Sequence, residues 1–314
     1  MERLNEDKIL RFRSDTLEAV RKDINLDKPN RMKEALDILE NWIKMQPHFV
    51  KKDFSRDYLE RTLITTKGLV ERAKERLDKL CTFKTLMPEF FSVTDAKKEF
   101  SSLPKAIISA HLPCQTPEHY RVYLCKFVSD NNIDSTILFT FYKYLTMLSE
   151  YFRKAEYCSG FVVILDYSDV NLMNMMTKIG PMELRQIITL MTEGYGLRIK
   201  GIHIITASKA VDAMVTFMKP MFSPKLASRI HTHKSMDGVC DFIPKNMLPA
   251  DYGGEEKTLR ELQSNWLEVL SSNDFLEYLK VMNQANTNES CREANKFNEN
   301  YIGMPGSFRA LSVD

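Results

Sequence analysis

Two short segments, GFVVILDY at 160–167 and KGIHIIT at 200–206, are apolar on both faces, and a helical stretch, MELRQIITLMTEGYG at 182–196, lies between them. A strand with one face in water alternates apolar and polar residues, whereas a strand apolar throughout is covered on both sides. Two such strands joined by a helix describe a parallel pair closed by a βαβ crossover. YRVYLCKFV at 120–128 reads as a further strand and DSTILFTFYKYLTMLSEYFRKA at 134–155 as a long helix. Residues from about 95 to 255 are therefore expected to form an α/β domain with a parallel sheet.

The segments on either side have a different period. Met32, Leu36, Leu39 and Ile43 recur at helical spacing with Trp42 flanking them; Tyr58, Leu59 and Leu63 begin a second helix, and Leu69, Ala73, Leu77 and Leu80 a third. Without strands, these amphipathic helices make a small bundle. Prolines and polar residues in SSLPKAIISAHLPCQTPEHY (101–120) signal a connection, and the end reads as helix from about Glu255 through Leu279, then a polar tail. The expected division is a helical domain over 1–92, an α/β domain over 93–256, and a C-terminal helix and tail over 257–314.

Several chemistries lack their residues. No G-x-x-x-x-G-K-[ST] or G-x-G-x-x-G follows a strand, so the backbone cradle for phosphates is missing, and there is no G-x-S-x-G elbow. A formal net charge of +2 gives no bulk attraction to nucleic acid. The six cysteines are scattered without a C-x-x-C pair, which fits reduced thiols in the cytosol. The start shows no basic and then apolar leader, and the longest apolar runs are too short to span a bilayer. Asp166 ends a strand where a catalytic carboxylate could stand, but capping the next turn is the commoner use. His203, His231 and His233 place imidazoles at alternate strand positions, yet no third ligand is evident for a metal; His203 reads as a packed core histidine.

One helix is unusual. From Val211 the apolar residues are Val211, Met214, Val215, Phe217, Met218, Met221 and Phe222, against a narrow polar stripe of Lys209, Asp212, Thr216 and Lys219. Such stripes are usually core. Here the apolar arc is wide and rich in methionine, whose flexible side chain suits changing partners. Swinging out three or four of these side chains costs about 5–10 kcal/mol in water, and far less where a membrane receives them. The helix is expected to act as a lid. SPKLASR (223–229) then starts a helix with Ser223 as N-cap and Pro224 at its first position, and Lys225 and Arg229 share a face. A solvated basic face is the plain reading, but with Arg198 and Lys200 at the preceding strand entry an anionic head-group site is also available.

The segment ending PEFF (88–91), and then GFVVILDYSDV (160–170), GYGLRIKGIHIIT (194–206), KPMFSPKLASRIHTH (219–233) and LPADYGGEE (248–256), stand in the order of the CRAL-TRIO lipid-binding family. The chain resembles the tocopherol- and retinaldehyde-binding group of that family, and GSFRALSVD (306–314) is similar to its arthropod members. The resemblance implies a helical N-terminal domain and an α/β domain whose apolar pocket holds one lipid under a mobile helix, mapped here to about 208–222. It implies a pocket lined by Phe141, Tyr144 and Met147 of the long helix, by Phe161, Val163, Leu165, Ile202 and Ile204 of two strands, and by Ile187, Leu190 and Met191 between them. Val211, Met214, Met218 and Phe222 would come from the lid, and Tyr144 and Lys143 would orient the ligand. Phosphoinositide-binding basic residues fall on Arg198, Lys200, Lys225 and Arg229. The family's LRFLRARKF-like segment is ERTLITTKGL (60–69) here, where Arg61 survives, and its Tyr-Pro is Tyr195-Gly196.

The implied function is a cytoplasmic, non-enzymatic lipid-transfer protein that acts as a monomer. It needs no cofactor or metal, associates transiently with anionic membranes, and moves a tocopherol, retinoid, carotenoid or similar lipid. A phosphoinositide-sensing adaptor without cargo is the alternative. The two differ in whether filling the pocket, or removing Lys225 and Arg229, ends function.

Overall fold

A computed structural model describes residue 4 and residues 7–292. The tail beyond Arg292, with the segment at 306–314, lies outside the described residues. Four helices come first: α1 (Thr16–Asp23), α2 (Pro29–Met45), α3 (Arg56–Thr65) and α4 (Val70–Leu86). The anticipated apolar stripes meet in one core, where Leu36, Leu39, Ile43, Leu59, Leu63 and Leu77 are buried together. Helix α1 adds Leu17 and Val20 to it. At eight residues it is too short to show a clear period in sequence.

After α5 (Ala96–Glu99) a five-stranded sheet is built from β1 (Ile107–Gln115), β2 (Tyr120–Phe127), β3 (Gly160–Asp166), β4 (Ile199–Ile205) and β5 (Ile230–His233), in that spatial order. Strand β1 runs antiparallel to β2, and the remaining neighbours are parallel. Residues 107–115, read from sequence as a connection, are thus an added strand. Its proline, Pro113, falls where the β1–β2 register shifts, between His111 and Gln115, so the pairing is kept on both sides. When strand order follows chain order, crossovers of one hand lay their helices on one face. Those helices are α6 (Ser135–Ala155), α7 (Leu172–Thr177), α8 (Pro181–Thr189), α9 (Val211–Met218) and α10 (Pro224–Ala227).

The expected C-terminal helix is two helices, α11 (Leu259–Leu270) and α12 (Asn273–Met282), separated at Ser271 and Ser272. A reciprocal capping box opens α11: Glu261 N–H donates to Thr258 Oγ1, and Thr258 N–H donates to the Glu261 carboxylate. Trp266 of α11 is fully buried and donates to His111 O at 2.9 Å, fixing α11 on β1.

The N-terminal helices are tied to the α/β body through buried polar contacts. Lys84 of α4 pairs with Glu150 of α6 at 2.6 Å, and Tyr195 Oη donates to the same carboxylate at 2.8 Å. Arg153 donates to Thr62 Oγ1 at 3.1 Å and to Tyr195 O at 2.8 Å. Gly196 adopts a left-handed φ of +69° with the Arg76 guanidinium 3.0 Å from where a Cβ would sit. A proline could not take that conformation, so the departure from Tyr-Pro creates a different, close-packed turn.

Candidate lipid pocket

Strand register sets the floor of the site. His111, Tyr123, Val163 and Ile202 are successive partners across β1, β2, β3 and β4. Side chains in one such row share a face, and all four line an apolar cavity of about 230 Å³. Phe161 and Leu165 flank the row, and Leu138, Phe141, Tyr142, Leu145 and Ser149 of α6 form one wall. Ile187, Ile188, Met191 and Thr192 form another, and Met214, Phe217, Met218, Phe222 and Leu226 close the cavity from α9 and the turn after it.

Of the residues proposed from sequence, Phe141, Phe161, Val163, Leu165, Ile187, Met191, Ile202, Met214, Met218 and Phe222 come together on this wall. Five do not. Tyr144 and Met147 were chosen at three-residue spacing from Phe141, but each such step turns about 60° away from a fixed face of a 3.6-residue helix. Tyr144 faces β1 instead, packing edge-on to Phe100 with its hydroxyl 3.4 Å from Ser109 O. Met147 follows it into the core. Leu190 lies off the face that Ile187, Ile188, Met191 and Thr192 share at helical spacing, and sits beside Gly194 and Phe83. Ile204 shares the face of Ile202 but belongs to the next row, with Leu165, and is packed solid at 1% exposure. Val211, half-buried at the first position of α9, is not part of the wall. Lys143 pairs with Glu99 rather than facing the cavity. His111 and Tyr123 were missed because residues 107–115 were not recognised as a strand, so their common row was invisible.

The lid helix sits loosely. Only Met214 of α9 is fully buried, while Val215, Phe217 and Met218 are half-buried. Among the described residues, the one side-chain hydrogen bond on α9 is internal, from Thr216 Oγ1 to Asp212 O. Nothing polar anchors it.

Three comparisons bear on this arrangement. Residues 111–254 match the family described as CRAL/TRIO domain. Over that stretch the chain is similar to CRAL/TRIO domains. The family is one of lipid-binding and lipid-transfer proteins. Residues 28–100 match a family described as Pinta-like, UBA domain. The CRAL/TRIO region is similar to the alpha-tocopherol transfer protein-like proteins of Mus musculus, 27% identical over 135 residues, and of Homo sapiens, 26% identical over 135 residues. Each match covers 43% of this chain and 39% of the relative's length. The fold is similar to the crystal structure of Sfh5, at a TM-score of 0.54 and 12% identity over 87% of this chain and 99% of that one.

Beyond the cavity, the CRAL/TRIO sheet carries a basic corner. Arg198 pairs with Asp23 at 2.8 Å, Lys200 Nζ lies 4.7 Å from the Tyr120 ring centroid, and Arg229 donates to Ile199 O. Burial depresses the Lys200 ammonium, Arg198, Arg229 and Lys67 depress it further, and the Asp23 carboxylate offsets part of this. Lys67, not singled out from sequence, therefore belongs to this group. Lys225 stands exposed on α10 and is not among the charges acting on Lys200.

On the face of β4 opposite the cavity, His203 Nδ1 lies 2.9 Å from His233 Nε2, and His203 stacks on His231 at 5.1 Å. Phe242 packs against all three rings. Among the described residues, no group of three or more histidine, cysteine or acidic side chains is arranged to hold a metal ion. Burial and the other two imidazoles push His203 down to about 4 from the ordinary 6.5. A depressed histidine stabilises the fold above its unfolded value, and that contribution fades as pH falls from about 6.5 through 4. In thermal unfolding followed by circular dichroism, the wild-type protein should lose about 3 kcal/mol more across that window than the His203→Asn protein does. Asp166 accepts from Ser168 N–H at 2.9 Å and from Tyr252 Oη at 2.6 Å, the capping role.

Proposed function

We propose that the protein binds one hydrophobic small molecule in the cavity beneath α9 and carries it between membranes without covalent chemistry. The observation that carries this reading is the cavity itself. It is largely apolar, lies between the sheet and the helices α6 and α8, and is covered by a helix whose one side-chain hydrogen bond among the described residues is internal. Burying about 400 Å² of apolar ligand surface at ~25 cal/mol per Å² supplies roughly 10 kcal/mol before the entropic cost of association, which is tight and still reversible. Native mass spectrometry of the purified protein, followed by organic extraction, tests it. A bound or exchangeable lipid at one per chain is expected; repeated failure to find one would overturn the proposal.

The basic corner supports a membrane step. Lys200 is held among like charges that raise its free energy, and an anionic head group placed there would relieve them. The phosphoinositide role of Arg198, Lys200, Lys225 and Arg229 is part of the same proposal. Arg198 and Arg229 also hold backbone or carboxylate partners, so Lys200 and Lys225 give the cleaner test. A Lys200→Ala, Lys225→Ala protein should bind vesicles containing phosphoinositide about thirty-fold more weakly, as two cations near the surface contribute about 1 kcal/mol each. Its affinity for the lipid cargo should be unchanged. Unaltered vesicle sedimentation would remove the basic corner from the mechanism.

A further inference from the structure

The chain leaves the sheet after Ile205 and returns at Ile230, so α9 and α10 lie on a segment fastened to the sheet at both ends. The returning end is held by β5, an edge strand of four residues. Ile202 N–H donates to Arg229 O and Thr206 N–H to His233 O, both at 2.9 Å, and the Arg229 guanidinium donates to Ile199 O. Two of the four β5 residues are histidines, His231 and His233. Both stack on His203 of β4, at 5.1 and 5.2 Å between ring centroids. His203 Nδ1 and His233 Nε2 face each other at 2.9 Å, so one of the two nitrogens donates and the other accepts. Phe242 packs on all three rings and is itself half exposed, which leaves solvent beside the cluster.

We propose that the three histidines are a proton-operated latch, which when neutral holds β5 on β4 and when protonated parts the two strands and frees the returning end of the α9 segment. One imidazolium can still donate to a neutral neighbour. When His203 and His233 both become imidazolium, two N–H groups point at each other and two positive charges stand 5.2 Å apart. The surroundings give little relief. Asp241 draws His233 up but is not among the charges acting on His203. On β3, the neighbour of His203 in its row is Ile164, and Asp166 is separated from His233 by Ile205. Asp166 is also already bound by Ser168 and Tyr252. Burial, ahead of the neighbouring imidazoles, holds both His203 and His233 below the ordinary value. The latched state therefore binds fewer protons than the parted one, and parting is favoured as pH falls.

That α9 then uncovers the cavity rests on the carrier reading; that β5 parts from β4 does not, and the test separates the two. Hydrogen–deuterium exchange of the full-length protein, with labelling times scaled to the intrinsic rate at each pH, reads the strand pair without cargo. Peptides covering 206–233 should lose protection about ten-fold between about pH 6.5 and 5.5, as expected when opening takes up one proton. Peptides from β1, β2 and β3 should hold theirs. An environment-sensitive apolar dye bound under α9 should leave about ten-fold faster over the same interval. His231 and His233 are only partly buried, so His231→Asn, His233→Asn removes their titration with the fold kept, and both responses should become flat. Equal loss of protection throughout the sheet, or a loss that persists in the double variant, overturns the latch. Loss of protection at 206–233 with an unchanged dye rate overturns its hold on α9. A protein that binds no dye at any pH overturns the carrier reading, and the exchange result then decides the latch alone.

Discussion

Met214→Glu should abolish cargo binding, lowering affinity by about a hundred-fold or more, while the protein remains folded. Met214 is 1% exposed, lines the cavity, and is the one fully buried residue of α9. Among the described residues nothing cationic lines the cavity. A glutamate there faces two costs: entering an apolar space unpaired, or leaving it by lifting the helix. Losing the methionine's burial forgoes about 1.5–3 kcal/mol, and a buried unpaired carboxylate costs more than that. The cheaper outcome is an open α9, since its other apolar residues are already half in solvent. Dye displacement reads the affinity, and circular dichroism checks the fold. Retention of binding within three-fold would show that α9 does not close the site.

Glu156→Ala should produce the largest loss of stability, about 3–5 kcal/mol, as expected when one member of a buried ion pair is removed. The Glu156 carboxylate accepts from Arg121 Nε at 2.6 Å and Nη2 at 3.2 Å, and from Gln115 Nε2 at 3.0 Å. Arg121 is completely buried and also bonds the carbonyls of Leu112 and Pro113, where the β1–β2 register shifts. Without the carboxylate a guanidinium is stranded beneath the antiparallel edge of the sheet. Urea unfolding measures the change. The double variant Glu156→Gln, Arg121→Met should recover much of it, because it removes the stranded charge. A Glu156→Ala loss under 1 kcal/mol would mean that water reaches Arg121.

Strands β2, β3 and β4 were legible because burial on both faces leaves an uninterrupted apolar run, and α2, α4 and α6 because they are long enough to show their period. Strand β1 was not, since its polar members Ser109, His111 and Gln115 interrupt the apolar run. His111 O holds Trp266, and Gln115 Nε2 donates to Tyr157 O at 2.6 Å. On the strands Phe161, Val163, Leu165 and Ile202 were legible as wall, while Ile204, His111 and Tyr123 were not. On helices the direction of each side chain depended on register, so Phe141 fell on the wall and Tyr144 did not. The same holds for Leu190: the wall takes Ile187, Ile188, Met191 and Thr192 at ordinary helical spacing, and Leu190 falls off that face.

The hydrogen-bonded floor also determines traffic. Four hydrogen-bonded strands give a cargo no passage through the sheet, and α6 is pinned to the N-terminal helices by Lys84 and Arg153. On the proposed carrier reading, the loosely seated α9 serves as door for both entrance and exit. A container with one door cannot relay its contents from one side to the other. It has to present the same surface to donor and acceptor, so a departing molecule and an arriving one compete for a single threshold.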